Sequence, residues 1–388
     1  MCTLGTIYSV SWSPDGSQLL TASSDKTCKL WDFATKKHTQ TFLFGADVKR
    51  PEISDMQLST AWEGKSLFSV SLSGAINVLN AETGEHTSIH GCMRPIKAFA
   101  LDRANRCFYT GEGNGVVIRW DLDTKLGQFF AGKKADVGVN GLRVAANGLL
   151  EVILADDKLR SFSATELQRS DDKKQTPVPV GGVPRKFKSS NTNPSIGVAV
   201  TGNKKLLIFN DGKIASTTAL DFEPLAVAWS TDDATIFVGG KNKAVVAFSY
   251  DGSTGAVALK DWTVETYDWC EHLVVHPAGQ IVVAVDKKKS ISAINIENAR
   301  VTNSDDPLRF HDMKIRDVAF SPSGNKLATC STDGTVIVWY NGFGGQRLRI
   351  PNASAQAVTF VEFIDETTVL ALGDNLVFKT FTIAEEWA

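Results

Sequence analysis

One unit recurs along this chain, and the recurrence constrains the fold more than any single residue does. Its clearest copy occupies residues 5–32, where Val10 and Trp12 alternate with polar neighbours as in a half-buried strand. Ser13-Pro14-Asp15-Gly16 has the composition of a tight turn, residues 19–22 return, Ser24-Asp25-Lys26-Thr27 turn again, and residues 28–31 make a third strand. Residues 315–339 repeat the alternation, the turn and the closing Trp. Following that closing position gives Trp31, Leu79, Trp120, Phe162, Phe209, Phe248, Ile294, Trp339 and Phe381, spaced 39 to 48 residues apart. A meander of this kind cannot bury its own faces, so the copies must stack on one another. Sustained 3.6-residue periodicity is absent, which predicts almost no helix.

The spacing matches the roughly 40 to 45 residues of a WD40 blade, so the expected class is an all-β WD40 β-propeller. Nine units fit one ring badly, because propellers usually have about four to eight blades. The resolution we expect is one complete seven-bladed propeller over residues 85–388, preceded in residues 1–84 by the last two blades of a second, truncated propeller. Gly5 enters a unit's first strand almost at once, which places the other blades of that ring upstream of Met1. The outer strand that closes the complete ring would come from residues 85–90 or from an upstream segment.

WD units often carry a hydrogen-bonded set in which an Asp of the second turn lies six residues before the Trp and a Ser or Thr four residues before the Asp. Thr21, Asp25 and Trp31 satisfy this in the first unit, and Thr329, Asp333 and Trp339 in the eighth, where His311 in the preceding loop completes a tetrad. The third unit keeps Thr110 and Trp120 but has Asn114 for the acid; the other six are eroded. A buried Asp is costly without partners, so these residues are assigned a structural role.

Composition excludes several function classes. A net charge of −2 gives no general attraction for nucleic acid. No apolar run is long enough to span a membrane, and Met1 to Gly5 lack the basic start of a secretory signal, so a cytosolic protein is expected. The cysteines Cys2, Cys28, Cys92, Cys107, Cys270 and Cys330 form no C-x-x-C pair, which fits reduced core thiols rather than a metal site or a disulfide framework.

Several local signals have plain readings. Gly111 to Gly115 follows a strand but precedes no helix, so it is a hairpin turn rather than a nucleotide loop. His272 and His276 flank strand residues, and His276-Pro277 replaces a turn's Ser-Pro; metal binding is not expected. Lys133-Lys134 and Lys287 to Lys289 are solvated loops or contacts for an acidic partner, and Phe343 in the loop 341–345 is an exposed contact residue or a plain loop residue. Residues 171–182 form an exposed connection with an extended Pro-containing strand. No nucleophile elbow, carboxylate pair or His-rich set supports an enzyme, and no cofactor or metal is expected.

The order of units resembles the carboxyl-terminal part of the actin-interacting protein 1 family, tandem double-propeller WD-repeat proteins. The resemblance covers all 388 residues and rests on residues 5–15, 67–77, 110–121, 130–133 and 377–383. Ser69-Val-Ser-Leu-Ser-Gly74 is its most specific string, since a generic unit has Asp where Ser73 stands. The resemblance implies a monomer that binds actin filaments and cofilin, promotes filament disassembly and limits barbed-end regrowth. The family's actin and cofilin contacts lie mainly on the other ring, so no contact residue is carried over. The alternative is a generic WD40 scaffold for a different multiprotein complex.

Overall fold

In a computed structural model the described residues are 5–44, 53–63, 66–89, 96–129, 138–145, 149–156, 158–163, 178–193, 195–303, 308–340, 346–374 and 377–383. They form nine antiparallel meander sheets spanning residues 7–43, 57–89, 96–129, 139–179, 184–219, 224–265, 270–301, 315–350 and 358–382. Eight have four strands, and the ninth has three among the described residues. The described helix content is one 3₁₀ turn, Ile53–Asp55. All nine closing residues read from the sequence fall on the third strand of their sheet, from Trp31 in Thr27–Asp32 to Phe381 in Phe378–Thr382.

The turns explain why the chain reverses where it does. In the first sheet the Gly16 amide donates to Ser13 O at 2.9 Å, Gly16 takes φ +70°, and the Ser13 hydroxyl donates to Asp15 at 2.6 Å. A φ in this region favours glycine because a Cβ would crowd the backbone. The eighth sheet repeats the turn at Ser321 and Gly324. In the seventh His276 stands where serine would, and its Nδ1 accepts from the Ala278 amide at 3.0 Å.

Several second strands, such as Ile196–Thr201 and Thr235–Gly240, are buried on both faces and read as nearly continuous small and apolar runs. Outer strands such as Lys213–Ala219 alternate between exposed and half-buried positions. Apolar cores form between neighbouring sheets: Val198 and Ile208 pack with Val227, Trp229 and Val238, while Val336 and Val338 pack with Val361 and Phe363.

The chain divides into two compact units, residues 1–93 with 118–131, and residues 94–117 with 132–388. In the first unit Leu20, Leu30 and Phe42 pack against Leu67 and Leu79, and the Ser9 and Ser11 hydroxyls lie 3.3 and 2.9 Å from Thr60 Oγ1. The opposite side of strand Ile7–Trp12 leaves Tyr8, Val10 and Trp12 about half exposed, and Phe33 meets Trp12 edge-on at 4.9 Å. His86–Ile89 pairs with Ile76–Leu79 as the outer strand of the second sheet. Of the two sources expected for a closing strand, the segment 85–90 is thus engaged elsewhere through its residues 86–89.

In the second unit the first strands contact one another in succession, from Ile96–Asp102 through Val139–Val144, Pro184–Ser189, Pro224–Trp229, Cys270–Val275 and Ile315–Phe320 to Val358–Phe363. The last of them contacts the first. Arg103 there donates to Glu362 and to Phe363 O, each at 2.8 Å, and Phe99 stacks on Phe360 at 5.9 Å. The succession is therefore a closed circuit of sheet edges around an axis.

Candidate functional site

Two kinds of residue qualify: the buried polar sets of the units and the aromatic and basic groups on their loops. In the eighth unit the Trp339 indole donates to Thr329 Oγ1 at 3.1 Å, Thr329 Oγ1 lies 2.9 Å from His311 Nε2, and His311 Nδ1 lies 3.2 Å from Asp333. Thr335 donates to the same carboxylate at 2.6 Å. Burial holds the His311 ring below its ordinary pKa against the pull of Asp333, so the neutral ring accepts from Thr329 and donates to Asp333. Burial opposes the Asp333 carboxylate, yet the Thr335 bonds keep it below the ordinary carboxylate range.

In the first unit Trp31 donates to Thr21 at 3.0 Å, while Asp25 accepts from Thr27 Oγ1 at 2.6 Å and from its amide at 3.0 Å. Thr110 and Trp120 of the third unit are buried, and Asn114 Oδ1 accepts from the Val116 amide at 3.1 Å within a turn closed by Gly115.

Eroded units carry other buried polar devices that sequence reasoning missed. The second sheet has an amide network in which Gln57 accepts from Ser69 at 2.8 Å and Asn77, and Asn77 accepts from Ser88 at 2.6 Å. In the fourth, Arg143 and Glu151 pair at 2.8 Å with both side chains 1 % exposed. Arg143 also donates to Ile196 O and Ser195 O of the fifth sheet and lies over the Phe187 ring. Gly197 permits this approach, since a Cβ there would lie 2.8 Å from the guanidinium. Asp233 of the sixth sheet accepts from Ser190, Asn191 and Thr192 of the fifth. For Gln57, Ser69, Asn77, Arg143 and Glu151 a polar residue within a strand was the available signal, whereas Asp233 and Ser190 lie in turns.

On the loops before the first strands and between the second and third, and on the outer strand Arg347–Ile350, cations lie over aromatic rings. Lys287 Nζ is 4.1 Å and Lys241 Nζ 5.0 Å from Trp269, Arg309 is 5.0 Å from Tyr267, and Arg347 is 3.6 Å from Phe310. Tyr267 and Phe310 are exposed, and Phe310 with Ile337, Arg347 and Arg349 lines a cavity of about 440 Å³. Lys287 is thus seated on Trp269, Lys289 donates to Asp312 O at 3.0 Å, and Lys288 is exposed. Lys133-Lys134, residues 171–177, Phe343, Cys2 and Cys92 lie outside the described residues, while Val178–Pro179 pairs as an outer strand. Among the described residues no group of three or more His, Cys, Asp or Glu is arranged to hold a metal. His272 lies in a strand and His276 in the following turn.

The WD domain, G-beta repeat family model matches residues 2–32 and 305–340, the two units with the fullest turn chemistry. The β-propeller domain of Cps50 (Swd1) from Myceliophteria thermophila superposes with a TM-score of 0.61 over 76 % of this chain and 98 % of that one, at 13 % identity. The chain has the fold of a WD40 β-propeller. Its WD repeats resemble actin-interacting protein 1 of Drosophila melanogaster, 26 % identical across 98 % of this chain and 60 % of that protein. WD repeat-containing protein 1 of Xenopus tropicalis is 28 % identical over 98 % of the chain and 61 % of its own length. Actin-interacting protein 1 of Caenorhabditis elegans is 26 % identical over 91 % and 56 %. This WD40 chain thus spans about 60 % of the length of the first two relatives.

Proposed function

We propose that the chain is an actin-filament-binding WD-repeat protein that cooperates with cofilin to promote filament disassembly and limit barbed-end regrowth. The observation that carries this reading is similarity along nearly the whole chain to proteins named for interaction with actin. Residues 85–388 act as a seven-bladed propeller and residues 1–84 as two blades of a second, incomplete one. The closed circuit of first strands in the second unit supports the former. The bare Tyr8, Val10 and Trp12 face supports the latter, because a blade needs a neighbour on each side.

The role is binding without catalysis, by a cytoplasmic monomer with no nucleic-acid or membrane partner; among the described residues no helix is long and apolar enough to cross a membrane. The buried sets at Thr21, Asp25 and Trp31, at Thr110, Asn114 and Trp120, and at His311, Thr329, Asp333 and Trp339 hold blades together and touch no ligand. The half-exposed rings under Lys287, Arg309 and Arg347 are suited to contact a protein surface, because a desolvated aromatic with a cation beside it adds both area and charge. Disassembly follows when the chain binds the severed or distorted filament more tightly than the intact one, and its effect is limited to that difference in affinity.

Cosedimentation with F-actin, with and without cofilin, tests the proposal. Pelleting that rises with filament concentration, and further with cofilin, is expected. A chain that stays in the supernatant under both conditions rejects actin binding and favours a scaffold for another complex.

A further inference from the structure

Ring and cation pairs of the second unit join into one track whose donors are unused. Tyr267 and Trp269 lie on the connection before Cys270–Val275, and Arg309 and Phe310 are neighbours on the connection before Ile315–Phe320. Arg309 reaches back to Tyr267 at 5.0 Å, and Arg347, the first residue of the outer strand Arg347–Ile350, covers Phe310 at 3.6 Å. Lys287 extends the track on its other side, 4.1 Å from Trp269. Tyr267 is 50 % exposed, Phe310 37 %, and Met313, three residues further on, 55 %.

A guanidinium stacked on a ring uses its flat face, so its five in-plane N–H donors still point outward. The side chains of Arg309, Arg347 and Lys287 make no hydrogen bond or ion pair among the described residues. Neighbouring carboxylates are engaged elsewhere. Asp286 accepts from the Lys288 and Ser290 amides at 2.8 and 3.0 Å and meets Arg309 only through its charge, while Asp312 accepts from Arg349 at 2.9 Å. Arg347 and Arg349, two residues apart on one strand, project from the same face and line the cavity of about 440 Å³ with Phe310 and the buried Ile337. A carboxylate entering there meets the free fork of Arg347 beside an apolar wall. Arg349 can turn from Asp312 at small cost, because both side chains of that pair are exposed.

We propose that this track docks an extended acidic peptide segment of a partner protein, with carboxylates on Arg309 and Arg347 and apolar side chains on Tyr267 and Phe310. The proposal rests on the reading that these rings contact a protein surface, and it names the chemistry of that surface. A carboxylate matches the guanidinium fork with two parallel charge-assisted bonds, the stronger class of hydrogen bond. An extended peptide alternates its side chains and so can set charged groups on the arginines and apolar ones on the rings between them. A uniformly anionic membrane or nucleic acid would instead press its charge against those rings and against the exposed Asp312.

Fluorescence anisotropy of the full chain with a fluorescein-labelled peptide of repeated Glu-Leu-Glu-Gly tests it, beside the same peptide with Gln for Glu and vesicles containing phosphatidylserine. Saturable binding is expected for the acidic peptide and none for its Gln counterpart. Arg309→Gln/Arg347→Gln, at exposed positions that do not endanger folding, should weaken it by about tenfold or more. Arg347→Lys keeps the charge but loses the fork, and should weaken it by about threefold. Lys213→Gln/Arg300→Gln, exposed on other outer strands, should leave it unchanged. Absence of saturable binding, full affinity in either arginine variant, or an equal loss in the outer-strand variant would overturn the proposal. So would vesicle binding as tight as that of the peptide and lost with the same arginines. A chain that binds the peptide but stays in the supernatant with F-actin rejects the actin reading alone, and one that pellets with F-actin but ignores the peptide rejects this inference alone.

Discussion

At the scale of single residues, stability is concentrated in a few buried polar atoms. Thr329 Oγ1 serves both the Trp339 indole and the His311 ring, so Thr329→Val strands two buried groups at once. We expect a loss of about 1 to 3 kcal/mol, read as a shift in urea midpoint, with little effect from Val at an exposed threonine such as Thr217. Arg143→Met should cost about 3 to 5 kcal/mol because Glu151 is left charged and buried, whereas Arg143→Met/Glu151→Leu should recover most of it. A double variant as unstable as the single one would mean that the pair's contacts to Ser195 O and Ile196 O matter more than its charge. Burial, and the surrounding cations in the case of His272, hold the His272 and His311 rings below the ordinary histidine value. Their neutral forms add stability that is fully present above the unfolded value of about 6.5 and is lost as pH falls below it, because only the unfolded chain then takes up the protons. Urea midpoints should drop between about pH 7.5 and about pH 5.5, and His272→Gln/His311→Asn should flatten that slope although it starts lower.

At the scale of strands, the same irregularity occurs in all nine sheets: pairing between first and second strands slips by one residue near the start of the first strand. The skipped residue leaves the ladder and the strand twists more strongly there, which re-aims its side chain. Lys97, Arg185, Glu271 and Arg316 occupy this position, so in four sheets the residue left out of the ladder is charged. Cysteines on the buried strands are shielded: burial pushes Cys28 up to about 12 and also raises Cys270 and Cys330. Mass-mapped thiol labelling of the native chain should therefore leave these three unmodified over times that fully label the urea-unfolded chain. The bare face of the first sheet behaves oppositely. Tyr8→Lys/Trp12→Lys should reduce binding of a hydrophobic dye and any self-association seen by light scattering, with a midpoint within about 0.5 kcal/mol of the parent.

At the scale of the molecule, two units with separate contact clusters should not melt as one. Calorimetry is expected to show two transitions, the lower one belonging to residues 1–93 with 118–131, whose first sheet is covered on one side only. A single transition with equal calorimetric and van't Hoff enthalpies would show the units to be one cooperative block. The sequence alone determined the repeat, the turns and the third-strand residues, because alternation at period two and a turn's demand for Gly, Asp or Ser are local properties. Trp31, Phe209 and Trp339 sit on third strands, where spacing put them, and Thr329 Oγ1 lies 2.9 Å from His311 Nε2. What the fold alone decided lies where separate repeats meet. Arg143 of the fourth sheet reaches Ser195 O of the fifth, Asp233 of the sixth accepts from Ser190 of the fifth, and Arg103 of the third donates to Glu362 of the ninth. Strand periodicity says which side chains share a face, but which faces then converge on one axis depends on the register slips and the closure of the circuit, and no single repeat encodes either.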